Sequence, residues 1–335
     1  MTTLTHDPAR TPPDARPSRK GPRFSGPVWL VWRQHRAAFW TLLALTLLTT
    51  LVMVYLRGQL TDHLAASPQK SLPPDIEEYT DRLFSVESYL GYAPILAGVL
   101  IGAPLIAGDL ESGTAKLVAA QSVSRLRWLT TKLAMPAALI ALSTTALGAV
   151  LNWWWNPIRS RTDNLGWASG GFDVTGIMPA AYALLTFTVG AAIGMLLRRT
   201  LVSMVVTLGT VAAIGYIWDH FRLNLGHVLS VTTHKGVGPD ARHPELPAGA
   251  LELDPSTHFL TDSGARLDWT TCLDQIENTR AHTSCLESKH VIGYAADYLP
   301  ASQMQPMQWL GAAIMLTATA AVVTFIIVWG RKRLL

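Results

Sequence analysis

Six long stretches of this chain contain no Asp, Glu, Lys, Arg or His, and this restricts the fold more than any other feature. They are Ala37–Leu56, Tyr89–Ala107, Leu133–Leu151, Ile177–Leu197, Leu201–Trp218 and Gln308–Trp329. The hydrocarbon core of a bilayer is about 30 Å thick and takes roughly 20 mostly apolar residues to cross as a helix. A charged side chain at its centre costs at least about 2.5–3.5 kcal/mol on insertion scales, so true spans avoid one. Surface helices of a soluble protein would instead carry a polar stripe at the helical period. Charged residues make up 15% of the 335 residues, against about 25% in soluble domains. Six buried core helices of this length would leave a soluble protein little surface. The expected fold class is therefore all-α integral membrane, with six transmembrane helices.

Basic residues set the orientation, because Lys and Arg concentrate in short cytoplasmic loops. With the N-terminus inside, 16 of the 27 basic but only 4 of the 23 acidic side chains fall on the cytoplasmic side. The inner segments then carry +12 and the outer ones −8, consistent with the formal net charge of +4. The reverse topology would put the basic tail, Lys116–Lys132, Arg198-Arg199 and Arg331–Arg333 on the wrong side. Both termini are expected in the cytoplasm, in the plasma membrane. The high pI follows from this topology, and no nucleic-acid partner is needed to explain it.

Residues 1–23 are rich in Pro, Arg, Thr and Ser and lack an apolar run, so they cannot build a core and are expected to be a disordered cytoplasmic tail. No signal-peptide apolar region is present. Residues 24–36 mix Val28, Trp29, Leu30 and Trp32 with Arg33, Gln34, His35 and Arg36. That mixture suits an interfacial elbow helix at headgroup level, or else a plain N-terminal extension of the first span. Spans one to five occupy 37–218 and the sixth 307–330, with 331–335 a short cytoplasmic end. The outer segment Arg57–Ser88 is acidic and broken by Pro73-Pro74, with a short surface helix at Asp75–Ser88. Trp153-Trp154-Trp155 stands where an aromatic belt belongs and reads as an interface anchor. Asn164–Gly176 is a Gly/Ser/Asp loop.

The extracytoplasmic segment 219–306 is the largest aqueous portion and carries 11 acidic residues without a sustained helical or strand period. Both cysteines, Cys272 and Cys285, lie in it. Disulfides persist outside the cytoplasm, and closing so short a loop contributes about 3 kcal/mol on the chain-entropy model. The segment reads as a small disulfide-pinned cap, the alternative being two independent thiols. Within the spans, Pro94, Pro104 and Pro136 are kink sites. Gly98…Gly102 and Gly190…Gly194 are small-xxx-small pairs that permit close helix approach.

Enzyme motifs fail one by one. The nearest approach to a phosphate-binding loop, Gly21–Val28, has Pro27 and Val28 where Lys and Ser/Thr are required. HExxH and CxxC spacings are absent, and His234 and His243 read as solvated loop residues rather than metal ligands. No catalytic residue, cofactor site or metal site is expected. Spans without Asp, Glu or His also lack the usual carriers of a coupling proton or sodium ion. Work done by such a chain has to be driven from elsewhere.

After the second span comes Asp109-Leu110-Glu111-Ser112-Gly113-Thr114-Ala115-Lys116-Leu117, and then Ser122-Val123-Ser124-Arg125. Gly113 is a natural helix stop and Thr114 a natural cap for a new turn. A short helix at 109–127, exposing Asp109, Glu111, Lys116 and Arg125, and an ordinary connecting loop both satisfy these signals.

This stretch resembles the coupling region of ATP-binding-cassette (ABC) export permeases of the type-two class. In that family Glu-x-Gly-Thr follows span two, then a Leu-rich turn and a Ser-x-Ser/Thr-Arg approach to span three. The residues here are Glu111-Ser112-Gly113-Thr114, Leu117 and Ser122-Val123-Ser124-Arg125. Trp32-Arg33-Gln34-His35-Arg36 is similar to the family's basic elbow. Asp109-Leu110 departs from the pattern, since many members place a basic residue there. The resemblance implies a coupling helix, with Asp109, Glu111, Gly113, Thr114, Leu117 and Arg125 linking to a separate nucleotide-binding ATPase subunit that holds ATP and magnesium. It also implies a second permease chain, identical or paralogous, an exporter working by alternating access among membrane lipids, and substrate contact along spans two and five. A membrane-anchored sensor or accessory protein, binding a ligand or partner through 219–306, is the other reading. The transported substrate is not encoded in any motif.

Overall fold

The computed structural model describes residues 27–66, 76–113, 125–158, 167, 171–237, 241 and 243–333. The expected tail 1–23 lies outside the described residues. Helix α1 (Pro27–Ala66) is the first span. Helices α2 (Ile76–Gly91) and α3 (Ala93–Leu96), a π-helical segment (Ala97–Gly102) and α4 (Ala103–Glu111) together make the second. Helix α5 (Arg125–Trp155) is the third; after the short α6 (Gly171–Val174) come α7 (Met178–Leu197) and α8 (Thr200–Phe221), the fourth and fifth. Strands β1 (Leu229–Thr233), β2 (Leu251–Thr261) and β3 (Arg266–Leu267), helix α9 (Thr279–Ser288) and strand β4 (Val291–Leu299) precede the sixth span, α10 (Ala301–Arg333). Among the described residues six helices are long and apolar enough to cross a membrane, and the chain is a multi-pass membrane protein. The spans alternate in direction, so one end of the bundle carries the sheet. The other carries the tight two-residue connection Arg198-Arg199 between α7 and α8.

The fourth span is the hub. Its apolar window is 72% buried within the chain, against 11% for span one. Two glycine pairs explain why. A Cβ on Gly102 would lie 2.3 Å from the Phe187 carbonyl oxygen, and one on Gly190 would lie 2.3 Å from that of Gly98. One on Gly194 would lie 2.2 Å from the Ala103 carbonyl oxygen. The two small-xxx-small motifs therefore pack on each other, backbone against backbone, where any larger residue would force the helices apart. Lipid gives no hydrophobic drive for helices to associate, so this close packing supplies much of the attraction. Pro104 lacks an N–H and its ring crowds the carbonyl four residues back, and the helix before it opens into the π-helical segment. Thr186 Oγ1 donates to the Pro94 carbonyl at 2.6 Å, joining span four to the start of this irregular stretch.

Three expectations are corrected. Residues 27–36 are not a separate elbow: they are the first turns of a continuous 40-residue helix. Pro27 occupies its first position, where a missing N–H costs nothing, and no Gly or Pro follows before Gly58 to bend the chain. The tryptophan triplet is not a belt. Trp154 and Trp155 are buried in the core at the sheet end, and only Trp153 is exposed, with the Arg57 guanidinium 3.8 Å above its ring.

The third correction is to the all-α class. Part of the outer segment forms a four-stranded antiparallel sheet in the order β1-β4-β2-β3. Strand β2 reads poorly because it shifts register against β4 twice, between Glu252 and Thr257 and between Leu260 and Thr261. Helix α8 continues to Phe221 and α10 begins at Ala301, so the sheet lies between these two helices within the expected segment 219–306. The expected disulfide is present: Cys272 and Cys285 are bonded with their Cα atoms 6.1 Å apart. The bond fastens α9 to the turn before it, over a small core of Phe259, Leu286 and Val291. Gln303 clamps the backbone of His227, accepting from its N–H at 2.7 Å and donating to its carbonyl at 3.0 Å. Trp167 Nε1 donates to Gly249 O at 3.1 Å. The sheet is thus tied to the bundle by named bonds as well as by chain continuity.

The glycine seam makes a direct prediction. Gly102→Ala inserts a methyl group against a backbone oxygen, and overpacking of this kind costs about 1–3 kcal/mol. Gly209 on α8 has open space around it, so Gly209→Ala is expected to leave stability unchanged or raise it. Thermal unfolding of the two variants in the same detergent compares them directly; equal midpoints would refute the seam.

Candidate functional site

At the tight-loop end, α4 stops at Glu111. Ser112 caps it, its N–H and Oγ both donating to the Gly108 carbonyl at 3.0 and 2.7 Å. Gly113 follows with φ +73° in open space. That left-handed conformation is routine for glycine and unfavourable for other residues. The helix stop expected at Gly113 is therefore where the structure has it. Thr114, Lys116 and Leu117, and with them the body of the expected coupling helix, lie outside the described residues. Arg125 opens α5.

Asp109 and Glu111 are two residues apart, which on an α-helix puts them about 200° apart around the axis. The structure uses both directions. Asp109 is buried and not exposed as expected. One carboxylate oxygen pairs with Lys132 Nζ of span three, and the other accepts from Gln34 Nε2 of span one at 2.7 Å. Lys132 is itself buried, its ammonium 5.3 Å from the Trp128 ring centre. His35 is adjacent, with its Nε2 buried and without a hydrogen-bond partner among the described residues. Glu111 is exposed and points the other way, where Oε2 accepts from the Thr200 N–H at 2.8 Å. Thr200 is the first residue of α8, and Arg199 before it supplies no side-chain cap. A carboxylate at a helix N-terminus satisfies a donor left over by the helix and complements its dipole. Arg198 just upstream is held at φ +58° to make the two-residue turn.

The exit of span two is thus bonded to spans one, three and five through two carboxylates. Sequence reasoning singled out Asp109 and Glu111 but missed Lys132, Gln34 and Thr200. A usable signal existed. Asp109 and Lys132 each stand just outside a charge-free segment, on the two sides of one connection, so antiparallel spans bring them to the same depth.

A family model described as ABC-2 membrane transporter related matches residues 41–222, over half of the chain. The chain belongs to this family. No curated protein and no solved structure matches it. The ABC-2 match takes in most of span one and all of spans two to five, including Asp109, Glu111, Lys132 and Thr200 but not Gln34. It ends before the sheet and the sixth span. The family fits a transport subunit that performs no chemistry of its own.

Removing one member of a buried ion pair costs about 3–5 kcal/mol, because the other charge is left uncompensated. Asp109→Asn is expected to lower the unfolding midpoint sharply, and Asp109→Leu combined with Lys132→Met to recover much of the loss. Thermal unfolding of single and double variants tests this, and a double variant as unstable as Asp109→Asn would rule out the pair as the cause.

Proposed function

We propose that the chain is the transmembrane permease subunit of an ABC exporter, with its N- and C-termini in the cytoplasm, driven by ATP hydrolysis in a separate nucleotide-binding subunit. The observation that carries this reading is the pairing of ABC-2 family membership with the linkage at Asp109 and Glu111. Association with an ATPase subunit is the general rule implied by that family. The driving force has to be borrowed, because the six apolar segments hold no Asp, Glu, Lys, Arg or His to carry a coupling ion. A pull on residues 113–125 reaches the end of α4 first, and from there passes to α1, α5 and α8 through bonds already in place.

The members of the coupling set then divide their labour. Glu111, Gly113, Thr114, Leu117 and Arg125 are assigned to the segment that meets the ATPase, with magnesium and ATP bound by that partner and not by this chain. Asp109 is a positioning residue that fixes span two to spans one and three. Substrate passes between two such chains, identical or paralogous, by alternating access. The folded sheet favours one other reading, an accessory protein whose outer segment 219–306 holds a ligand or partner.

Co-purification decides between the two. The exporter reading expects a P-loop ATPase to travel with the full-length chain, with its activity responding to the permease. Gly113→Val is expected to reduce transport-linked ATPase activity while leaving the unfolding midpoint within about 1–2 kcal/mol of the parent in stability, the cost of a left-handed residue. An unchanged ATPase rate in Gly113→Val and Glu111→Lys would remove the coupling assignment.

A further inference from the structure

A groove of about 510 Å³ runs along the side of the bundle near its sheet end, between spans three, four and six. Ala180 and Ala181 of α7 line it on one side; Thr145 of α5 and Gln305, Gln308, Trp309 and Leu316 of α10 complete it. Thr145, Gln305, Trp309 and Leu316 are exposed on the lateral surface, so the groove opens toward the surrounding lipid. No lining residue carries a charge. From Gln305 to Leu316 it follows about 16 Å of helix, with two amides at one end and Leu316 at the other.

The chemistry is set by Gln308, which is only 6% exposed. Its Nε2 donates to Phe172 O at 2.9 Å and to Thr175 Oγ1 at 3.0 Å. The Thr175 hydroxyl proton is committed to Gly171 O at 2.7 Å, so Thr175 Oγ1 acts as an acceptor toward Gln308. Two acceptors facing one end of the amide fix which atom is nitrogen. The oxygen therefore lies at the other end, beside the lining residue Gly176: a Cβ built on Gly176 would be 2.7 Å from Oε1. No hydrogen-bond donor among the described residues reaches Oε1. In lipid an acceptor left without a donor is costly.

We propose that this groove binds a single-chain amphiphile from the surrounding bilayer whose head presents an uncharged hydrogen-bond donor, a hydroxyl or amide N–H, to Gln308 Oε1. The apolar chain lies along Ala180 and Leu316. Acceptor-only heads, such as a carboxylate or an ester, have nothing to offer Oε1, and a cationic head would meet no counter-charge in the lining. The volume lies within the range of about 300–1,000 Å³ usual for ligand sites. This site is separate from the coupling assignment and from any pathway along spans two and five, so it stands whether or not an ATPase partner is found.

The test uses the full chain in phosphatidylcholine nanodiscs with three photoreactive C18 probes: an alcohol, the matched methyl ester and the matched carboxylate. Cross-linked peptides are located by mass spectrometry. The alcohol is expected to label 176–181 and 305–316 about fivefold more than either other probe, the discrimination worth one neutral hydrogen bond. Ala180→Phe and Thr145→Phe, each filling the groove from a different helix, are expected to remove that preference while the protein remains monodisperse. One folded variant suffices. Equal labelling by alcohol and ester, labelling spread evenly over the exposed faces of spans one and five, preference surviving in a groove-filled variant, or cross-links showing a second copy seated in the groove would each overturn the proposal.

Discussion

The approach of two backbones in the middle of the bundle controls the rest of the structure. Hydrophobic burial cannot choose between partners when lipid is as apolar as the helices themselves, so contact distance decides. Gly98 and Gly102 meet Gly190 and Gly194 closely enough that a single methyl group would not fit. Span four becomes the hub because it carries one half of that contact, and the remaining spans pack around the pair. The prolines at 94 and 104 belong to the same device. They loosen the helix of span two where it has to follow span four, and the π-helical segment takes up the irregularity.

Polar bonds are placed at the ends of this apolar seam, where the cost of burying them is lower. At the tight-loop end, Asp109 and Glu111 face opposite ways and bind three other spans. At the sheet end, Asp173 accepts from Trp218 Nε1 at 2.7 Å and pairs with Arg222 at 2.6 Å. Burial pushes the Asp173 carboxyl up from its usual range, against the pull of the Arg222 guanidinium. Nearby, Gln308 holds α6 through its amide nitrogen. The bundle is therefore apolar in the middle and cross-linked at both ends. Helices joined in this way are held against sliding past one another, which is the property the proposed coupling requires.

The sheet stands apart from this logic. It lies beyond the residues matched by the family model and has its own small core and disulfide. It is nevertheless seated on the bundle through Gln303 and Trp167. The bonded span exits and the sheet-bearing cap are thus two constructions on one chain, joined where α10 begins.

Much of this was legible in the residues. Charge-free segments gave the six spans, because the bilayer's penalty is a property of each segment taken alone. The cysteine pair, the stop at Gly113 and the small-xxx-small motifs were visible for the same reason. The sheet was not, because bulges in β2 erase the alternation that marks a strand. The elbow was misjudged because amphipathic composition near the membrane does not say whether a helix bends. Trp154 and Trp155 looked like a belt because residue type does not reveal which face is covered. The sequence by itself determined that this chain crosses a membrane six times without internal charge, since that follows from local transfer energies. Only the tertiary structure decided that Asp109 turns inward to Lys132 and Gln34 while Glu111 caps span five. Partners 23, 75 and 89 residues away are chosen by how the helices pack.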